Sequence, residues 1–331
     1  MSWTKASSFF ALLAVLVTAR ADAPTNYYAS AEGKAGGELR DALHAIIRNH
    51  RIIPYSGGSL DTSDALKILD ADPTNTNNVI LLYSTNSVPA STFGNSGWNR
   101  EHQWPNSYGL DDDEPAYLRA CDANVNSSRG NKYYDTSDTN APSYTNPAHV
   151  EAPLCTTDSD SWQPPAFDRG NIARAILYMA TRYTGDTNNE PALVLTDNGA
   201  IIQSTNTYMG KLSTLLAWHK ADPVDAAEQL RNDRVYSLYQ TNRNPFVDHP
   251  EWVNLTFAPA YTNPPVLNIT LTTTGCTLTW LATNQSALLE VSTDLPGDWM
   301  TATNTPVLTN GHFAVLCTNT VSRSFFRLKV Q

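Results

Sequence analysis

Trp98-Asn99-Arg100-Glu101-His102-Gln103-Trp104-Pro105 is the stretch whose reading decides the rest of the chain. An acid and an imidazole stand side by side, with Arg100 before them and Trp104 after. On an extended backbone, neighbouring side chains point to opposite faces. One of the pair can therefore hold a metal while the other reaches toward a water. A divalent metal, a base and a nearby arginine are what phosphodiester hydrolysis requires. A lone Glu-His pair is common, however, so the surrounding chain has to carry the argument.

Three further segments join it: Asn124-Val125-Asn126-Ser127-Ser128-Arg129-Gly130-Asn131, Arg169-Gly170-Asn171-Ile172-Ala173-Arg174-Ala175, and Asn242-Arg243-Asn244-Pro245-Phe246-Val247-Asp248-His249-Pro250-Glu251-Trp252. In this order and spacing, over roughly Glu38 to Trp252, the chain resembles the bacterial endonuclease I family of secreted and periplasmic nucleases, within the ββα-metal (His-Me finger) group. The resemblance implies an α+β fold whose core is a β-hairpin followed by a helix, clasping one divalent cation. By motif match it implies His102 as general base, and Glu101 and Asn126 as metal ligands. The ion would be Mg²⁺, with Mn²⁺ and Ca²⁺ as alternatives, because one carboxylate and one amide oxygen leave most of an octahedral shell to water and phosphate. It also implies cleavage to 5′-phosphate ends with little sequence preference, as contacts mainly to the nucleic-acid backbone would produce. Arg100, Arg129 and Arg174 are the candidate phosphate-binding side chains, with Arg129 placed to neutralise charge at phosphorus. Where family members carry an Asp-x-His-(His/Asn)-Leu-x-Pro run, this chain has Glu114-Pro115-Ala116-Tyr117-Leu118-Arg119-Ala120. That departure keeps open a second reading, a degenerate nuclease domain serving as an extracellular binding or display module.

The first residues have the form of a secretory signal: Lys5, an apolar run Phe9–Val17, and an Ala19-Arg20-Ala21 cleavage site. That run is too short to span a bilayer, and no other membrane segment is visible. Export makes disulfides plausible. The spacing of Cys121, Cys155, Cys276 and Cys317 suggests local pairs, Cys121–Cys155 and Cys276–Cys317, although four cysteines allow three pairings. A net charge of −10 weighs against a nucleic-acid partner. A bound cation and a local basic groove can offset it, because an ion's charge is not in the residue count. A monomer is expected.

Leu39, Leu43, Ile46 and Ile47 predict a helix within Glu38–His50, and Val79–Tyr83 a strand. Asp111-Asp112-Asp113-Glu114 reads as a solvated acidic loop, and 135–165 as a long loop. Asp168 is the expected N-cap of a buried helix through Ile172, Ile176, Met179 and Tyr183. Further helices are expected over Met209–His219 and about Val224–Tyr239. Pro259 and Pro264-Pro265 mark a linker, 259–265. Beyond it apolar residues alternate with period two, as in Cys276/Leu278/Trp280 and Phe313/Val315/Cys317, which predicts a small β-sandwich over 266–331 with the cysteines facing inward. The division expected is thus 1–21 signal, 22–258 nuclease domain, 259–265 linker and 266–331 β domain. His44, His50, His149, His219 and His249 are expected to be structural or exposed, and Trp98 and Trp104 to pack in the core.

Overall fold

The computed structural model describes residues 23–94, 96–108, 114–186, 190–199, 201–202, 207–257, 266–272, 275–281, 287–295, 297–304, 306–309, 312–318 and 323–330. The signal segment, the linker and Asp111–Asp113 lie outside these residues. Helices and strands are mixed, as an α+β chain requires. The helices are α1 (Gly36–Ile47), α2 (Thr62–Leu69), α3 (Ala123–Arg129), α4 (Arg169–Arg182), α5 (Leu212–Ala221), α6 (Ala226–Arg234), α7 (Pro245–Asp248) and α8 (Glu251–Phe257). A π-helical turn, Val235–Gln240, continues α6. No helix among the described residues is long and apolar enough to cross a membrane.

Helix α4 is the axis of this part of the molecule. It is buried nearly all round, and α1, α5 and α7 pack against it. A helix apolar on most faces has to sit in a core, and Ile172, Ile176, Leu177 and Met179 are fully enclosed. Its start departs from the expected capping. Asp168 makes no side-chain cap. Instead its carboxylate accepts the Tyr83 N–H at 2.8 Å, and Asp222, at the end of α5, accepts the Gly170 N–H at 2.8 Å. That cap needs close backbone approach, because a Cβ on Gly170 would lie 2.0 Å from the Asp222 carbonyl oxygen. Gly170→Ala is therefore expected to destabilise by about 1–3 kcal/mol through overpacking, although alanine is the better helix former by about 1 kcal/mol. Thermal unfolding checks this; a raised melting temperature would show that the contact does not limit stability.

Strands β1 (Ala71–Asp72), β2 (Asn75–Ile80) and β3 (Ser87–Pro89) form one antiparallel sheet. The expected strand at Val79–Tyr83 is thus displaced toward its N-terminal side, ending at Ile80. The next pair decides the site: β4 (Trp98–His102) runs antiparallel to β5 (Leu118–Asp122), with Glu101 opposite Arg119 and His102 opposite Leu118. Helix α3 follows β5 without a loop, because the Asp122 carboxylate caps it through the Asn124 and Val125 N–H groups at 2.8 and 3.1 Å. It ends at Gly130, whose φ of +57° suits a residue without a Cβ. Two small sheets, β6 (Tyr133–Tyr134), β7 (Thr156–Thr157) and β8 (Ser161–Gln163), then β9 (Val194–Leu195) with β10 (Tyr208–Met209), complete this region.

Glu114 corrects the reading of the acidic run. It is fully buried, accepting the Tyr178 and Tyr183 hydroxyls at 2.5 Å each and Gln240 Nε2 at 3.2 Å. Burial of a carboxylate requires such donors, and all three come from elements far along the chain.

After residue 265 every described element is a strand: β11 (Asn268–Thr272), β12 (Gly275–Leu281), β13 (Ala287–Ser292), β14 (Met300–Thr301), β15 (Val307–Thr309), β16 (His312–Thr318) and β17 (Phe325–Val330). They form a four-stranded sheet, β11-β12-β16-β15, and a three-stranded sheet, β14-β13-β17. Leu278, Trp280 and Val315 from the first share an apolar cluster with Leu289 from the second. Ile269 and Leu271 do not join it. Strand β11 pairs on one side only, and both side chains stay exposed.

All four cysteines are free thiols, so neither expected bridge is formed. Cys276 and Cys317 face each other across β12 and β16, within one sheet rather than between sheets. Cys121 lies on β5 in the core, whereas the Cys155 thiol is directed to the Tyr83 carbonyl at 4.0 Å.

Candidate active site

Period-two alternation along β4 sorts its side chains into two sets. Trp98 fills the core. Arg100 and His102 share one parity, Asn99 and Glu101 the other. Glu101 is buried, and two donors converge on one of its oxygens, Tyr83 Oη at 2.7 Å and Arg129 Nη1 at 3.2 Å from Oε1, with Tyr134 Oη 3.5 Å away. No described residue donates to Oε2. Burial raises the Glu101 pKa, while Arg129 and the tyrosine hydroxyls oppose that rise.

Asn126, on α3, reaches back to β4. Its amide nitrogen donates to Asn99 Oδ1 at 2.8 Å and to the Arg100 carbonyl at 2.9 Å. Both amide hydrogens are spent, which orients the group and leaves Oδ1 without a donor among the described residues. Two hard oxygens, one carboxylate and one amide, thus remain available on neighbouring elements. They suit a hard divalent cation. No three His, Cys, Asp or Glu side chains among the described residues converge to hold an ion.

The His102 ring is half-buried between two aromatics, 5.6 Å from the Tyr55 ring and 6.1 Å from the Tyr117 ring. Burial pushes its pKa down to about 4, and Arg100 and then Arg129 add to the depression. The imidazole is therefore neutral at neutral pH and able to accept a proton.

The three arginines separate. Arg129 is 1% exposed. It donates to the Lys132 carbonyl at 3.0 Å, to Glu101, to the His102 carbonyl at 2.8 Å and to the Gln103 carbonyl at 3.0 Å, with Tyr134 against its face. Arg174 is fully enclosed, forked onto Glu228 at 2.7 and 2.6 Å and bound to the Asp222 carbonyl at 2.8 Å. Both are thus enclosed and hold elements together through these bonds. Arg100 differs. Its Nη1 donates to the Tyr55 carbonyl and to Thr62 Oγ1, and its plane lies 3.5 Å over the Tyr55 ring. Its Nε and Nη2 take no hydrogen bond among the described residues.

The expected structural histidines and tryptophans behave accordingly. His249 stacks on Trp252 at 4.0 Å, and Trp98 and Trp104 are enclosed. Sequence reasoning missed Tyr55, Tyr83 and Tyr134, and read Asp168 only as a helix cap. Tyr134 stands three residues after the Asn126 motif ends at Asn131. Tyr55 and Tyr83 carry no comparable local signal.

The model of the endonuclease I family matches residues 35–251. The chain belongs to the endonuclease I family. The match covers the β4–β5–α3 unit and stops before the C-terminal strands. Among this endonuclease's relatives, the extracellular ribonuclease of Bacillus amyloliquefaciens is 43% identical over 247 residues, 72% of this chain and 80% of the relative. The extracellular ribonuclease of Bacillus subtilis (strain 168) is 43% identical over 236 residues, 69% and 77% of the two chains. Membership makes the protein a nuclease acting on nucleic acid, and Glu101, His102 and Asn126 all fall inside the matched span.

Proposed function

We propose that the protein is a secreted, metal-dependent, largely nonspecific endonuclease that hydrolyses RNA, and DNA as well, to 5′-phosphate ends. The observation that carries this is the state of Glu101 and Asn126. Each has one end pinned by protein donors or acceptors and one oxygen left over, beside a neutral His102. The β4–β5–α3 unit is read as the ββα-metal core, and the two C-terminal sheets as an accessory β-sandwich. The signal-like residues 1–21 and the two relatives named as extracellular support secretion.

Glu101 Oε2 and Asn126 Oδ1 would hold Mg²⁺. Bound there, the cation would polarise the phosphate and stabilise the leaving oxygen. The chain's own residues do the rest. His102 takes a proton from the water whose oxygen bonds to phosphorus, and the bond from phosphorus to the 3′ oxygen breaks. The anionic phosphodiester beside the ring favours the imidazolium that forms. Arg100, with two donor groups uncommitted on the same parity as His102, binds a phosphate oxygen. Tyr55 stacks on its guanidinium and restricts its orientation.

Digestion of RNA and DNA tests the reading: with Mg²⁺, Mn²⁺ or Ca²⁺, with EDTA, and with Glu101→Gln. Cleavage that needs a divalent cation, stops with chelator and is lost in the variant is the expected result. Cleavage indifferent to EDTA overturns the metal reading. No cleavage with any cation overturns the enzyme reading and favours a binding or display module, consistent with the altered segment Glu114–Ala120.

A further inference from the structure

We propose that Tyr83 is a positioning residue for Glu101, the terminal donor of a directed chain Tyr134–Tyr83–Glu101 that turns one carboxylate oxygen toward the cation. This rests on the reading of Glu101 as a metal ligand.

Direction follows from proton counting. An ionised carboxylate can only accept, and a tyrosine has one hydroxyl hydrogen. Tyr83 Oη lies 2.7 Å from Glu101 Oε1, so its hydrogen goes there. The Tyr83 and Tyr134 hydroxyls are 2.7 Å apart, so Tyr134 is the donor to Tyr83. The direct path from Tyr134 to Oε1, at 3.5 Å, is much the longer. Tyr83, itself held by Tyr134, and Arg129 thus load Oε1 and leave Oε2 to the ion.

The backbone points the same way. Tyr83 has φ +73°, a left-handed conformation that a bulky residue rarely adopts. Such conformations cost of order 1–3 kcal/mol and persist only where surrounding structure over-determines them. Here the Leu82 N–H binds the Ala120 carbonyl at 2.8 Å, laying the segment along β5. The Tyr83 N–H binds the Asp168 carboxylate at 2.8 Å. Asp168 is available for this because Asp222 caps α4 in its place. An unfavourable backbone state, held by a buried acid, delivers one hydroxyl to one oxygen of one ligand.

Mn²⁺ binding to the full-length protein, measured by titration calorimetry, tests this in wild type, Glu101→Gln, Tyr83→Phe and Tyr134→Phe. Outer-shell partners typically contribute about 10- to 100-fold in metal affinity. Tyr83→Phe is expected to weaken Mn²⁺ by that factor, with the melting temperature of the metal-free protein within a few degrees of wild type. Tyr134→Phe is expected to weaken it less. A purely structural hydroxyl would shift the melting temperature and leave affinity alone. Loss of binding in Glu101→Gln with wild-type affinity in Tyr83→Phe overturns the inference. If Tyr83→Phe does not fold, unchanged affinity in Tyr134→Phe overturns it instead. Wild type that binds no Mn²⁺, or Glu101→Gln that binds it normally, removes the metal-ligand reading and the inference with it.

Discussion

His102→Ala is expected to lower the rate of phosphodiester cleavage by about 10²- to 10⁴-fold, the usual contribution of a positioned general base. The fold should survive. The ring is half-buried, and its loss opens the space between Tyr55 and Tyr117 at the edge of β4. The Arg129 bond near it goes to the His102 carbonyl, which alanine retains. Cation binding should persist as well, because Glu101 and Asn126 are untouched. Initial rates on RNA with Mg²⁺, with added imidazole as a rescue arm, check this. A rate within tenfold of wild type would place the base elsewhere. Partial recovery with imidazole, absent in Glu101→Gln, separates a missing proton acceptor from a missing cation.

Arg129→Ala is expected to act in the opposite manner, destabilising the protein by about 3–5 kcal/mol, as removal of one partner from a buried ion pair does. The Glu101 carboxylate would lose its only arginine partner among the described residues, in a site that is 1% exposed. Three backbone carbonyls would lose their donor at the same time. Lysine is not a substitute, because one ammonium cannot reproduce the guanidinium fork. Denaturant unfolding measures the loss. Arg100→Ala provides the contrast: little change in stability and a raised KM. If Arg129→Ala keeps its stability and raises KM instead, Arg129 is a phosphate ligand and the assignment of the two arginines is reversed.

Much of the candidate site is legible in the sequence. Glu101, His102 and Asn126 were named by motif and spacing, and the structure places them on one strand-strand-helix unit. The buried helix after Asp168 was visible in Ile172, Ile176 and Met179, because a repeat near 3.6 residues is a local property. The alternation of β12 and β16 was visible for the same reason, with period two. The arginines were not separable this way. Arg100, Arg129 and Arg174 are chemically alike, and which is enclosed depends on partners such as Glu228 and the Gln103 carbonyl. Nor was the cap of α4 legible. Asp168 has the residue type of an N-cap, but Asp222, 54 residues later, takes that role. Glu114 likewise looked solvated beside Asp111–Asp113 until Tyr178, Tyr183 and Gln240 closed around it.

By itself, the sequence determined the periodic elements, the family motifs and the chemical types at the site, because helical and strand periods and residue chemistry are local. Tertiary structure alone decided which oxygen of Glu101 is left over, which arginine keeps uncommitted donors, and that Tyr83 adopts a left-handed backbone. Those outcomes depend on burial and on hydrogen-bond partners tens of residues apart, and no local pattern encodes which of several equivalent donors will arrive.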